Sequence, residues 1–234
     1  MPQPALVAFD LDGTLIDTAP EIGDAVNDTL TRLGLAAMPP DRIIGWIGHG
    51  TRELLIQAMA AAQRVDAARV RPSRELAEAY AQFEHDYLLR CGTRSRPHAG
   101  AVALLQALRA QGVRTCVVTN KETRFTERVL AAHGLGAWLD RVVCGDTLPT
   151  RKPDPAGLLG CLSAFGIDPE RALFVGDSSI DAATARAAGV PVWLLTHGYN
   201  MGRPVSDSAP DAVFDGFALL HQAWDDLRAV PATD

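Results

Sequence analysis

Two carboxylates and two lysines carry the chemistry that this sequence can do. Asp10 and Asp12 lie two apart in FDLDGTLIDT (Phe9 to Thr18). At the end of a strand that spacing turns both side chains to one side, while Leu11 turns away. Gly13 then permits a sharp turn, and Thr14 offers a hydroxyl and an amide. Two acids so close cannot both stay ionised cheaply without a cation or a shared proton. A hard divalent ion with oxygen ligands resolves that, and Mg²⁺ is the usual partner of phosphate. Lys121 and Lys152 are the only lysines, so twenty of the 22 basic residues are arginine. Lysine is a compact, strongly hydrated point charge and arginine a broad planar fork, so a small anionic centre can require the former. Lys121 closes VVTNK, Lys152 opens KPDP, and a second acidic cluster follows in VGDSSID (Val175 to Asp181). Carboxylates, a hydroxyl and an ammonium on four loops describe a centre that moves a phosphoryl group.

Four separated loops need a frame that brings them to one edge. Six short apolar runs provide it: ALVAF (Ala5 to Phe9), VRTCVVT (Val113 to Thr119), RVVCG (Arg141 to Gly145), ALFVG (Ala172 to Gly176), VPVWLL (Val190 to Leu195) and DAVF (Asp211 to Phe214). Apolar runs without alternation indicate strands covered on both faces, the parallel-sheet pattern. Amphipathic segments between them end at Gly112, Gly134, Gly166 and Gly189, where a helix C-terminus favours a left-handed residue. The expected fold class is α/β: a doubly wound, Rossmann-like parallel sheet, with ligands at the carboxyl ends of the strands.

The rhythm breaks once. Residues 16–96 hold no convincing apolar strand but three helical patterns, EIGDAVNDTLTRLG, TRELLIQAMAAAQ and SRELAEAYAQFEHDYLLRCG, with Asp41, Thr51 and Ser73 as candidate N-caps. So many consecutive helices cannot all cover the sheet after a single strand. The expectation is an all-helical cap at 16–96 inserted into a catalytic core formed by 1–15 and 97–234.

Composition narrows the partners. With 47% hydrophobic and 21% charged residues this is an ordinary globular chain, and a net charge of −6 without a basic run argues against a nucleic-acid surface. The four cysteines show no C-x-x-C spacing, so neither a disulfide framework nor a zinc site is expected. No stretch approaches the ~18 uninterrupted apolar residues of a membrane span, and MPQPALVAFD carries no charged leader. A soluble, cytoplasmic protein is expected, with a small phosphorylated metabolite as its partner; monomer and homodimer both stay open.

FDLDGTLIDT, VVTNK, KPDP and VGDSSID resemble motifs I to IV of the haloacid dehalogenase superfamily of phosphohydrolases, in the expected order and across essentially the whole chain. That resemblance implies Asp10 as the nucleophile, forming an aspartyl-phosphate. It makes Asp12 the acid that protonates the leaving oxygen and then activates water. Thr119, with the Asn120 amide beside it, would hydrogen-bond the phosphoryl, and Lys152 would neutralise phosphate and nucleophile. Mg²⁺ would be held by Asp10, Asp177 and the backbone carbonyl of Asp12, with Asp181 steadying the metal's waters or Lys152. Lys121 is left between reaching substrate and capping the helix that follows. Relatives that cleave carbon–halogen bonds lack the second acid that Asp12 supplies. Relatives that cleave phosphonates use a cap lysine, and residues 16–96 contain none. Phosphoryl transfer from oxygen remains, to water or to a second substrate hydroxyl.

GWIGHGTRELL (Gly45 to Leu55) sets Gly48 and Gly50 before a helix start, where backbone amides can face an anion. This segment and THGYNMGRPV (Thr196 to Val205) look like segments of bacterial phosphoglycolate phosphatases, which implies 2-phosphoglycolate as substrate. Arg52 would then pair with the substrate carboxylate and His49 donate to it; the alternatives are an ion pair of Arg52 with a neighbouring Glu and a surface role for His49. A sugar-phosphate phosphatase or phosphosugar mutase is the rival within this chemistry. A phospho-acceptor receiver domain and a binding protein with a relic site are the rivals outside it.

Overall fold

A strand whose successive residues are all apolar must be covered on both faces, and β1 (Leu6–Phe9) is. Leu6 and Ala8 enter one apolar cluster while Val7 and Phe9 enter another. The computed structural model, which describes residues 3–229, sets β1 inside a six-stranded sheet. The next two strands, β2 (Ile16–Asp17) and β3 (Arg96–Pro97), form a separate antiparallel pair. The main sheet continues with β4 (Arg114–Val118), β5 (Arg141–Val143), β6 (Ala172–Gly176), β7 (Val192–Leu195) and β8 (Ala212–Phe214). Its order is β5-β4-β1-β6-β7-β8, every neighbouring pair parallel, and all six predicted strands are in it. Register fixes the site: Phe9 lies beside Val117 on one flank and Val175 on the other. Asp10, Thr119 and Asp177 therefore leave the sheet at the same edge.

Between β2 and β3 the chain runs through α1 (Ala19–Arg32), α2 (Pro40–Ile44), α3 (Thr51–Gln63), α4 (Ala67–Val70) and α5 (Arg74–Arg90). Their apolar faces bury one another in a cluster of their own, built on residues such as Val26, Leu30, Leu55, Met59 and Phe83. Phe125 and Tyr199 reach into this cluster from the other side of the β2–β3 crossing, and Phe125 meets Tyr87 at 4.8 Å between ring centroids. Ser73 caps α5 by accepting the Leu76 amide at 3.3 Å. The other two N-cap expectations are corrected. Pro40, which has no N–H to satisfy, opens α2 and puts Asp41 inside its first turn. Gly50 is the N-cap of α3, and the Thr51 hydroxyl donates elsewhere.

Five more helices clothe the sheet. α6 (Ala101–Ala110), α7 (Thr123–Ala132) and α10 (Phe217–Ala229) pack with the Val7 and Phe9 face. α8 (Ala156–Phe165) and α9 (Ser179–Ala188) pack with the Leu6 and Ala8 face. Among the described residues no helix is long and apolar enough to cross a membrane.

Candidate active site

At the shared edge of β1, β4 and β6, negative charge is crowded and positive charge is buried beneath it. The Lys152 ammonium sits 2.8 Å from Asp10 Oδ1 and 2.7 Å from Asp181 Oδ1. Burial works against that ammonium, but the two carboxylates outweigh it and hold Lys152 above its ordinary range. Asp10 also accepts the Leu11 amide on Oδ1 at 2.7 Å. Burial pushes its carboxyl up to about 6 against the pull of Lys152, with Asp181 and Asp12 adding to the rise. Asp177 is driven well above the usual carboxylate range by burial and then by Asp181 and Asp10. Its oxygens accept the Thr14 hydroxyl and the Tyr199 amide, each at 2.5 Å. Gly13, at φ +83°, makes this possible twice over: it turns the chain, and a Cβ there would lie 2.5 Å from Asp177 Oδ2.

Carboxylate oxygens of Asp10, Asp177 and Asp181 approach within 4.8 Å of one another. Asp181 is already spent. One oxygen meets Lys152, and the other accepts the Ser178 hydroxyl and the amides of Asp177 and Ser178 in a capping box that starts α9. Two close carboxylates with one ammonium between three acids leave the excess negative charge that a hard cation offsets.

Asp12 has its own lysine. The Lys121 ammonium donates to both Asp12 oxygens at 2.9 and 3.1 Å, and to the Tyr87 hydroxyl of α5 at 2.5 Å. It neither caps α7 nor stands free for a ligand. Asp10 and Asp12 keep 13% and 15% of their side-chain surface exposed and each lysine 3%, so the acids face the opening and the ammonium groups lie behind them. The Thr18 hydroxyl completes the hold on Asp12 at 2.7 Å.

Thr18 is held in turn by Tyr199, whose hydroxyl accepts the Thr18 and Ala19 amides at 3.0 Å each and donates to Asp17 at 2.5 Å. A hydroxyl some 180 residues away in sequence thus does the work of an N-cap for α1, where Thr18 makes no side-chain cap. Tyr199→Phe strands two buried amides. A loss of about 1–3 kcal/mol is expected, read as a fall of roughly 2–12 °C in thermal midpoint.

Asp10 and Asp12 line a cavity of about 50 Å³ with Thr119, Lys121, Gly48 and Gly50. The Thr119 oxygen accepts the Lys121 amide at 3.3 Å, which leaves its hydroxyl proton to donate. Asn120 lines the same space, but its side-chain amide is committed to the carbonyls of Gly48 at 2.9 Å and Lys152 at 3.0 Å. His49 and Arg52 are exposed and line an adjoining hollow with Arg151 and Lys152. Arg52 donates to the Arg71 carbonyl at 3.1 Å, and it is Arg71 that pairs with Glu53. Tyr87, Tyr199 and Thr18 hold the site in place and were not singled out by spacing. Thr18 and Tyr199 stood in quoted motifs without a role, whereas Tyr87 reads as one more apolar position of α5.

Residues 4–189 match the family model described as haloacid dehalogenase-like hydrolase. The chain is 40% identical over 231 residues to phosphoglycolate phosphatase 1 of Pseudomonas aeruginosa, covering 99% of this chain and 84% of that protein. It is 37% identical to the phosphoglycolate phosphatase of Haemophilus influenzae, covering 92% and 96%. Among solved structures, a predicted phosphoglycolate phosphatase from Haemophilus somnus superposes with a TM-score of 0.89 at 34% identity, covering 95% of this chain and 99% of that one.

Proposed function

This chain belongs to the haloacid dehalogenase-like hydrolase family and is a phosphoric monoester hydrolase, and from that premise we propose that it converts 2-phosphoglycolate to glycolate and phosphate through an aspartyl-phosphate on Asp10. One observation carries the reading: two acids two residues apart, each backed by its own buried lysine, share one small cavity. Both polar contacts of Asp10 fall on Oδ1, so Oδ2 is the oxygen that meets phosphorus. As the Oδ2–P bond forms, the bond from phosphorus to the leaving oxygen breaks, and Asp12 gives that oxygen its proton. Asp12 then takes a proton from water, whose oxygen attacks phosphorus and frees phosphate and Asp10. The Thr119 hydroxyl and the Asn120 backbone N–H would bind the phosphoryl, while Lys152 balances the charge gathering on it.

Asp10 and Asp177, with the Asp12 carbonyl, would hold Mg²⁺, since their oxygens and one of Asp181 lie within 4.8 Å of one another with only the Lys152 ammonium to offset three acids. When bound, the ion supplies positive charge to the phosphate oxygens. We read residues 16–96 as a cap that closes the cavity and excludes water. The relatives at 37–40% identity named phosphoglycolate phosphatase support 2-phosphoglycolate over a sugar phosphate, and the reading fits a cytoplasmic enzyme whose four cysteines stay reduced. Phosphate release from 2-phosphoglycolate and a panel of sugar phosphates, with Mg²⁺ and with chelator, tests it. Expected is a kcat/KM for 2-phosphoglycolate about tenfold or more above each sugar phosphate, a margin of ~1.4 kcal/mol, with turnover lost to chelator. A preferred sugar phosphate would overturn the substrate assignment.

A further inference from the structure

Three consecutive residues after β4 reach into the helical cap. Asn120 donates to the Gly48 carbonyl, Lys121 to the Tyr87 hydroxyl, and Glu122 accepts from both Thr51 and Tyr80. The first two have places in the chemistry proposed above; Glu122 has none. Its side chain is buried, it lines the cavity, and each carboxylate oxygen accepts one hydroxyl: Oε2 from Thr51 at 2.7 Å, Oε1 from Tyr80 at 3.1 Å. Thr51 opens α3 directly after Gly50, and Tyr80 stands in the first half of α5. Burial, with the Glu122 carboxylate adding to it, pushes the Tyr80 hydroxyl up to about 12, so it remains a donor across the working pH range.

We propose that Glu122 is a positioning residue that clamps α3 and α5 onto the loop after β4 and so sets how often the cap stands closed over Asp10. The proposal rests on the functional reading above in one respect, that closure serves turnover. Both bonds join the catalytic core to the cap, so a hinge motion that parts the two breaks them together. The carboxylate also gains water on opening and loses it on closing, which makes the contact a two-state one. Substrate binding to a protein that is closed only part of the time weakens by that fraction. The loss belongs in KM, because a closed complex holds Asp10, Asp12 and Lys152 as before.

Glu122→Ala and Glu122→Gln, with Tyr80→Phe alone and combined with Glu122→Ala, test this by two readouts. The first is amide hydrogen exchange of the unliganded protein. Glu122→Ala is expected to speed exchange in residues 51–58 and 76–84 and to leave 114–118 and 172–176 unchanged. The second is kinetics on 2-phosphoglycolate and p-nitrophenyl phosphate. Glu122→Ala should raise KM about tenfold, the scale of losing hydrogen bonds to a charged acceptor, with kcat within about twofold. Glu122→Gln, which keeps one accepting oxygen, should fall between. Tyr80→Phe should cost less alone and nothing further on top of Glu122→Ala. Unchanged exchange in both cap segments overturns the proposal, as does a collapse of kcat with KM unmoved. A wild-type protein that hydrolyses neither compound would defeat the functional reading instead, and the exchange arm alone would then decide on Glu122.

Discussion

Asp10→Asn is expected to abolish turnover, by about 10⁴-fold or more, while fold and ligand affinity stay in place. The substitution is nearly isosteric. An amide oxygen at the same position still accepts the Leu11 amide and the Lys152 ammonium, now both engaged by Oδ1. What disappears is the charge that the proposed nucleophile would place on phosphorus, since an amide oxygen carries none. The surroundings disfavour that charge at rest, because burial raises the Asp10 carboxyl to about 6 despite Lys152. Removing it relieves repulsion toward Asp181 and toward an incoming dianion, so the dissociation constant for 2-phosphoglycolate should hold or tighten. Single-turnover kinetics, phosphoenzyme trapping and calorimetric titration check the three parts. Residual turnover above about 0.1% of wild type, a loss no larger than the ~10²–10³-fold of a mere stabiliser, would remove Asp10 from the role of nucleophile.

The parts of this site that could be read in the sequence are those held by local rules. β1 and β6 are continuous apolar runs and β4 closes on one, and parallel register alone brings together the residues that follow them, Asp10, Thr119 and Asp177. Gly112, Gly134, Gly166 and Gly189 all take the left-handed backbone that marked them as helix ends. The illegible parts depend on contacts across the molecule. The partner of Lys121 is set by where α5 crosses the loop after β4, and nothing local in the α5 sequence aims Tyr87 there. Asn120 has the chemistry to bind phosphate. Its donors are taken by Gly48 and Lys152 only because the loops of residues 45–50 and 151–153 close on either side of it. The phenol of Tyr199 replaces a cap that Thr18 does not make, a substitution of one hydroxyl for another that spacing cannot foresee. Spacing identifies which residue types are present, and the close approach of separate loops decides which of their atoms remain uncommitted.

Lys152→Met should lower turnover by about 10²–10³ and destabilise the protein in a manner that depends on pH. The ammonium is almost wholly buried between Asp10 and Asp181, so its removal leaves two carboxylates facing each other without a cation. Breaking a buried pair from one side typically costs about 3–5 kcal/mol. The sign of the pH dependence follows from linkage. A carboxyl whose folded pKa lies above its unfolded one binds protons that the unfolded chain releases. The stability it adds is present at acid pH and is lost as pH rises through the folded value. Asp10 already titrates near 6 against an ordinary 3.8, and loss of Lys152, the main opposing influence, moves it higher still. With divalent ions chelated, the variant should therefore lie closer to wild type at pH 5 than at pH 8, by denaturant titration at both. A deficit equal at the two pH values would mean that Lys152 serves packing rather than charge. Wild-type turnover in the variant would mean that the charge on the transferring phosphoryl is balanced by some other group.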